Sequence, residues 1–391
     1  MIAALLLSAL GAAEPDAEPS FKGIGLPMGN VTSDRGVGYG IYGAIARLDP
    51  SLPDSVPYRA QLSGQLYQTT GGYRDHRLIL DLPWLADGAL RLNLQGGIEA
   101  WDAALYFGQG NDLPRLPPAD TPEQFYTYDL DSLRTLSLLR LRLWGSWEAF
   151  VGHLLRSASI GVYSDSLLQQ DQPVGTEGGR LSLLSIGLLC DSRDNEVAPT
   201  AGGFSEISVR AAAPALGSDW SMWGLNLTDR RYITLGRPQL VLAMREAIDV
   251  QRGEVPFFQQ IVMGGSQWVE LGGPMSLRGL PIGRYRGPVT LYGDVELRWQ
   301  AADFTVLKSP MRFYAVPFLG LARIIEPGVA DQGDPVHGGA GLGLRLLFQE
   351  VFLLRGDVAL GLEEYADADD PSAATRRAPV PGFYFALDAP F

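Results

Sequence analysis

Cysteine, histidine and net positive charge are all scarce in this chain, and each shortage excludes a class of function. The 391 residues include one cysteine, Cys190, so neither an internal disulfide framework nor a cysteine cluster for a metal can form. Three histidines, none paired with another at ligand spacing, offer no metal site. The formal net charge of −13 argues against nucleic acid, because phosphate binding needs clustered positive charge. We therefore expect no metal, no cofactor and no nucleic-acid partner.

Long apolar runs are scarce as well. The N-terminus holds an apolar run over residues 2–10, followed by small residues to Ala13 and then by acidic, proline-rich sequence. This run is too short for a spanning helix, which needs about 20 apolar residues, but it is typical of an export signal. We predict a signal peptide over residues 1–13 and a short periplasmic segment over residues 14–34; the alternative is a disordered tail.

The chain is rich in strict alternation. Residues 290–300 place apolar side chains on one face of a strand and Asp294, Glu296 and Arg298 on the other. Successive side chains of a strand point to opposite faces, so this segment is a two-faced strand. The same pattern recurs in segments 35–47, 338–348, 351–363 and 382–391.

Two-faced strands of this composition favour a membrane barrel over a soluble sandwich. A sandwich turns its apolar face to a core, whereas here the polar face combines charged residues with many of the 47 glycines. A polar lumen inside an apolar wall has that arrangement, and only a closed barrel satisfies every backbone group in lipid. We predict an all-β fold, a transmembrane antiparallel β-barrel of about sixteen strands over residues 35–391. One predicted strand covers 256–268, and four irregular stretches predict extracellular loops: 108–129, 158–179, 269–287 and 364–381.

Three arginines, Arg278, Arg284 and Arg286, precede the charged strand in a glycine-rich loop. A guanidinium offers a fixed fork of donors that suits carboxylates, and its burial is offset only when it is paired. In one interpretation the loop folds inward, so that Arg278 meets Glu296, together with Asp294. In the other the loop is exposed, and its arginines contact acidic lipid headgroups or water.

Catalytic motifs are weak. His153 lies near Ser157 and Ser159, but a hydrolase needs its base within reach of the nucleophile and a third group to orient the base. We expect no catalytic residues, and a lipolytic barrel enzyme is the least favoured of the functions considered.

Several motifs resemble the BamA/TamA superfamily, the bacterial surface antigen barrels. Leu277, Arg278, Gly279 and Leu280 are similar to the four-residue motif of that family's sixth extracellular loop, whose arginine–glycine pair enters the lumen. Glu296 is similar to the lumenal acid of the strand that follows. Further similarities lie in residues 69–85, 106–112 and 191–204 and in the closing aromatic residue, Phe391.

Two features depart from the family pattern. The family usually carries periplasmic polypeptide-transport-associated (POTRA) domains before the barrel, and a barrel that starts at residue 35 leaves no room for one. The family's second lumenal acid corresponds to Gly320 here. The resemblance therefore leaves Glu296 as the matching partner of Arg278, with Asp294 as an alternative.

The resemblance implies insertion or translocation of outer-membrane proteins, or lipids, through a weakly closed lateral seam. The first and last predicted strands would form this seam, where client strands add to the free edge. The predicted seam residues are Gly36, Gly38, Gly40, Pro390 and Phe391. Expected partners are outer-membrane lipid, client barrel proteins and a protein that supplies periplasmic domains. The alternative is a passive pore or structural barrel without client handling.

Overall fold

Sixteen antiparallel strands form one closed barrel in the computed structural model. The structure describes residues 19–33, 35–53, 56, 58–111, 124–195, 198–306, 309–326, 336–348, 352–365 and 376–386. The first eight barrel strands are β1 (Ser20–Thr32), β2 (Gly36–Leu48), β3 (Ala60–Thr69), β4 (Tyr73–Leu85), β5 (Leu90–Leu105), β6 (Thr127–Arg142), β7 (Trp147–Gly161) and β8 (Gly179–Asp191). The prediction of a sixteen-stranded antiparallel barrel is confirmed.

The remaining elements follow in chain order. Three more barrel strands are β9 (Gly202–Ala212), β10 (Met222–Thr234) and β11 (Leu240–Gly253). A separate hairpin comprises β12 (Val262–Gly264) and β13 (Trp268–Glu270). The barrel then closes with β14 (Val289–Val306), β15 (Ser309–Ile325), β16 (His337–Phe348), β17 (Phe352–Tyr365) and β18 (Arg376–Ala386). The helix α1 (Leu167–Asp171) lies between β7 and β8.

The alternating faces are oriented as a lipid-exposed wall requires. On β14 the side chains of Val295 and Trp299 are exposed on the outside, whereas Asp294 and Glu296 are buried in the lumen. In the described part of the chain, no helix has both the length and the apolar character to cross a membrane.

Connections alternate between the two ends of the barrel because neighbouring strands are antiparallel. The four stretches predicted as extracellular loops contain parts of the connections after β5, β7, β11 and β17, which share one end. Long loops are typical of the extracellular end of such barrels.

The barrel begins at Ser20, so the predicted periplasmic segment over residues 14–34 is wrong for Ser20–Thr32. On β1 the apolar residues Ile24, Leu26 and Met28 point inward, while the outer face is mostly glycine and proline. This inverted pattern lacks the apolar outer face of the other strands and resembles a loop. The predicted signal peptide lies outside the described residues.

Segment 256–268, predicted as a barrel strand, lies inside the lumen instead. It belongs to the connection between β11 and β14, and its Phe257 and Phe258 side chains are buried against the inner wall. A buried apolar run has the same composition whether lipid or protein covers it. The predicted strand count includes segment 256–268, which is not in the barrel, and omits β1, which is. The predicted total of about sixteen therefore still agrees with the structure.

Candidate functional site: a plugged lumen beside a thin seam

The connection between β11 and β14, residues 254–288, turns inward and occupies the lumen; we call it the plug. Most of its residues are buried, including all three arginines of the glycine-rich loop. The inward of the two loop interpretations therefore describes the structure. Three sets of contacts hold the plug to the wall.

The first set fixes the β12–β13 hairpin to β9 and β11. The Asp249 carboxylate accepts from the Arg210 guanidinium at 2.6 and 3.0 Å and from the backbone N–H of Gly264 at 3.1 Å. The Glu206 carboxylate accepts from the backbone N–H of Ser266 at 2.8 Å. Because these carboxylates are buried, each contact also satisfies a group that water does not reach.

The second set centres on Arg286, which is fully buried. Its guanidinium donates to the carbonyl oxygens of Leu105 at 2.7 Å, Gly283 at 3.0 Å and Phe257 at 3.2 Å. Its own carbonyl accepts from the Gly110 N–H at 2.9 Å. This arginine therefore ties the end of the plug to the β5–β6 connection.

The third set centres on Arg278, with 1% of its surface exposed. Its Nη1 lies 2.8 Å from Glu296 Oε1 and 3.2 Å from Asp357 Oδ2, and its Nη2 lies 3.3 Å from both carboxylate oxygens of Asp294. Its guanidinium carbon is 3.5 Å from the centre of the Phe318 ring. The structure thus brings Arg278 together with both predicted acids and with a third.

Asp357, on β17, was absent from the predicted site. It belongs to the polar face of segment 351–363, but 79 residues separate it from Arg278 in the chain. Gly320, where the family pattern has an acid, instead faces the Leu277 side chain; a Cβ there would lie 3.5 Å from Leu277 Cδ1. Asp357 on β17 therefore supplies the carboxylate that β15 lacks. This replacement becomes visible only in the closed barrel.

The three acids are shared among several arginines. Glu296 also accepts from Arg298 at 2.9 Å and Arg345 at 3.3 Å. Asp357 contacts Arg345 as well, and it lies 3.6 Å from Arg355. Three carboxylates thus face four guanidinium groups, so each carboxylate has at least one guanidinium partner that offsets its burial. We call these seven residues the lock: Arg278, Asp294, Glu296, Arg298, Arg345, Arg355 and Asp357.

Glycines let the tip of the plug approach the wall closely. Gly279 has a φ of +97°, and a Cβ there would lie 2.6 Å from the backbone nitrogen of Gly361. A Cβ on Gly339 would overlap the carbonyl oxygen of Arg278. The Gly279 N–H donates to the hydroxyl of Tyr384, on β18, at 3.0 Å.

The described part of the junction between β1 and β18 is short, because the described residues of β18 end at Ala386. Within it, Val31↔Phe385 and Thr32↔Tyr384 are in register, with one further backbone hydrogen bond from Ser33 N–H to the Phe383 oxygen at 3.1 Å. At the other fifteen junctions, at least eight described residue pairs are in register. We call the β1–β18 junction the seam.

The seam does not involve the glycines predicted for it. Gly36, Gly38 and Gly40 lie on β2, which pairs fully with β1 on one side and with β3 on the other. The prediction placed them at the seam because it took β2 as the first strand. Pro27 lies on β1, and proline donates no ladder hydrogen bond. The predicted seam residues Pro390 and Phe391 lie outside the described residues.

The plug touches both sides of the seam. Arg35, in the turn after β1, lies 3.4 Å from Glu270 of the plug, and its guanidinium stacks 3.7 Å over the Tyr73 ring. On the other side, Tyr384 of β18 holds the plug through Gly279. Contacts inside the lumen therefore support both strands of the seam.

Part of the lumen stays open. A cavity of about 450 Å³ lies between the plug and strands β4–β7. Its lining is mixed, with Arg77 and Arg134 beside Glu99 and with Leu154 opposite Trp268. The Glu99 carboxylate is paired with Arg134 at 3.4 Å, so the cavity is polar but its charges are largely matched.

His153 has a different hydroxyl partner from those suggested by the sequence. Its Nε2 lies 2.9 Å from the Ser182 hydroxyl on β8, whereas Ser157 and Ser159 lie farther along β7. Among the residues that the structure describes, no group of three His, Cys, Asp or Glu side chains is placed to hold a metal ion.

Comparison with known proteins gives a consistent family. Residues 157–387 match the model of the Omp85 superfamily domain. BamA from Haemophilus ducreyi lacking POTRA domains 1–3 is 16% identical, with 94% of this chain and 70% of that chain covered at a TM-score of 0.61. CdiB from Acinetobacter baumannii is 16% identical, with 94% and 60% covered at 0.53. CdiB from Escherichia coli is 13% identical, with 96% and 64% covered at 0.54. A search of curated proteins gave no match.

Proposed function

Because this chain belongs to the Omp85 superfamily and forms a bacterial outer-membrane barrel, we propose that it inserts or translocates outer-membrane proteins at the seam. The observation that carries this proposal is that β1 and β18 have two residue pairs in register among the described residues, against at least eight described pairs at every other junction. The chain spans about 60–64% of the two CdiB chains. The proposal includes a partner protein that supplies periplasmic domains.

In the proposed mechanism, the edge of β1 at the seam receives the client. A strand edge without a partner presents a row of N–H and C=O groups to another chain. Along Ser20–Asn30, β1 pairs with β2 but has no described partner on β18, so a client strand can add there by β-augmentation. The plug steadies the seam from inside through Glu270 and Gly279 until a client adds.

A disulfide across the seam tests the proposal. Val31→Cys with Phe385→Cys, in a Cys190→Ser background, joins two residues in register at the seam. Paired residues of antiparallel strands lie about 4.5–5.5 Å apart, within disulfide range. The matched control is Val358→Cys with Phe383→Cys, which joins β17 to β18.

The assay is the folding of a urea-unfolded, eight-stranded outer-membrane protein into liposomes that contain this barrel. We expect the barrel to accelerate client folding, the seam disulfide to abolish the acceleration until reductant is added, and the control disulfide to have no effect. Equal activity of the oxidised and reduced seam variant would contradict the proposal, and so would loss of activity in the control.

A passive pore is the second candidate, favoured by the open cavity of about 450 Å³ beside the plug. This function predicts steady ion conductance in planar bilayers and no acceleration of client folding. If the barrel conducted ions steadily and did not accelerate client folding, the passive pore would replace the first proposal.

A further inference from the structure

Two carboxylates lie in the middle of the lipid-facing wall, away from the seam. On β11 the outward side chains are apolar from Leu240 through Val250 except at Glu246. On β10 the outward side chains include Leu227 and Ile233, with Asp229 between them. Glu246 and Asp229 are directly opposite each other in the β10–β11 register.

The two carboxylates differ in their partners. Asp229 accepts from Arg231 at 2.7 Å and from the Ser205 hydroxyl at 2.6 Å, and Arg231 also donates to Ser205 at 3.0 Å. Glu246 is exposed, and it has neither a hydrogen bond nor an ion pair with any residue in the described ranges. Asp229 is therefore paired, whereas Glu246 has no direct partner among the described residues.

A groove runs along this patch. Its volume is about 640 Å³, and its lining around Glu246 includes the apolar residues Ile248, Leu291 and Leu321 together with Arg323. Gly293 is opposite Glu246 in the β11–β14 register, and a Cβ there would meet no atom within 4 Å. The wall is thus indented beside the unpaired carboxylate, with room for an inserted side chain.

The depth of Glu246 selects the kind of partner. It lies six residues from the start of β11 at Leu240, about 20 Å along the strand and about 15 Å in depth at the usual tilt. The apolar band of such barrels is about 25 Å tall, so Glu246 is near its centre and lipid headgroups lie too far away. A charged group at this depth is costly unless a partner pairs with it, and such a group marks a functional position.

We propose that this groove receives a membrane-embedded segment of another protein, and that the segment presents a lysine or arginine side chain to Glu246. A cation of this kind pairs with Glu246, and apolar residues of the segment fill the groove beside Leu291 and Leu321. The groove is on β10, β11 and β14, so this surface is independent of client addition at the seam.

Photo-crosslinking in cells of the protein's own organism tests the proposal. p-Benzoylphenylalanine replaces Leu291 in the groove or, as a control, Leu342, which is exposed on β16. Each probe is combined with Glu246→Gln or with Asp131→Asn, an exposed acid near the start of β6. Heat-modifiable migration in gels shows that every variant has folded.

We expect an adduct at Leu291 and none at Leu342. Its yield should fall at least fivefold with Glu246→Gln and stay unchanged with Asp131→Asn. The captured peptide should lie in a membrane-embedded segment that carries a lysine or arginine, and exchanging the two charges between the partners should restore the adduct. In liposomes that contain this protein alone, Glu246→Leu should raise the apparent melting temperature, because it removes a charge from lipid.

Four results would overturn the proposal. The adduct could have twice this chain's mass, or it could contain lipid alone. The yield of a protein adduct could be the same with Glu246→Gln as with wild type, or no adduct could form at Leu291. A lower melting temperature for Glu246→Leu would also overturn it, because Glu246 would then stabilise the barrel itself. None of these results depends on whether the barrel accelerates client folding, so the two proposals fail separately.

Discussion

Glu296→Gln is the most direct test of the lock. The wild-type carboxylate accepts from Arg278 at 2.8 Å, Arg298 at 2.9 Å and Arg345 at 3.3 Å, with 1% of the residue exposed. The amide keeps the shape of the side chain but removes the charge that three guanidinium groups share. Removing one partner of a buried ion pair costs about 3–5 kcal/mol. Because Asp294 and Asp357 still contact Arg278, we expect a value near the middle, about 4 kcal/mol.

That free energy converts into a measurable shift in melting. At about 2.1 cal/mol/K per residue, unfolding a chain of 391 residues has an entropy of about 0.8 kcal/mol/K. The apparent melting temperature should therefore fall by about 5 °C. The matched control is Glu148→Gln, whose partner Arg140 lies 3.8 Å away at a partly exposed position, and a pair of that kind contributes about 0–1 kcal/mol.

Digestion with trypsin shows whether Glu296→Gln loosens the plug. Arg284 and Arg286 are 3% and 0% exposed in the plug, so the wild-type barrel should resist cleavage there. If Glu296→Gln releases the plug, brief digestion should cut after these residues and yield two fragments that divide near residue 285. The reasoning is refuted if Glu296→Gln matches Glu148→Gln in both melting and digestion, because the lock would then not hold the plug.

Three further predictions concern the neighbouring contacts. Asp357→Asn should make the plug sensitive to trypsin. Adding Gly320→Asp should restore resistance, because an acid on β15 then replaces the one lost from β17. A double variant no more resistant than Asp357→Asn would contradict this. Gly339→Ala should raise conductance in planar bilayers, since its Cβ overlaps the Arg278 carbonyl, whereas Gly293→Ala, whose Cβ meets nothing within 4 Å, should not. Tyr384→Phe removes a hydrogen bond of about 1 kcal/mol between the plug and β18, so amide exchange at Val31 and Phe385 should accelerate about fivefold; unchanged exchange would show that the plug does not steady the seam.

Local pattern was sufficient for most strands. Alternation in segments such as 290–300 predicts both the strand and the side that faces lipid, because each side chain takes its face from its neighbours two residues away. The same rule failed for β1, where glycine and proline occupy the outer face, and the seam was consequently assigned to β2. The failure coincides with the strand that closes the barrel against β18.

The lock was predictable only in part. Arg278, Glu296 and Asp294 lie within 19 residues of one another on a loop and the strand that follows it, so a short-range argument could connect them. Asp357 and Tyr384 could not be connected in this way, since they approach the plug only when β17 and β18 complete the wall. The proximity of the outward carboxylates Asp229 and Glu246 was not predictable either, because alternation within a strand does not show which residues of different strands are opposite each other.

By itself, the sequence determined that the chain forms a barrel with a polar lumen and an apolar outer wall, and that Arg278 has an acid nearby. These properties follow from periodicity and composition, which act over a few residues. The tertiary structure decided which strands form the seam, which third acid completes the lock, and where Glu246 lies in the lipid-facing wall. These properties depend on register and on closure of the barrel, which bring together residues that are far apart in the chain.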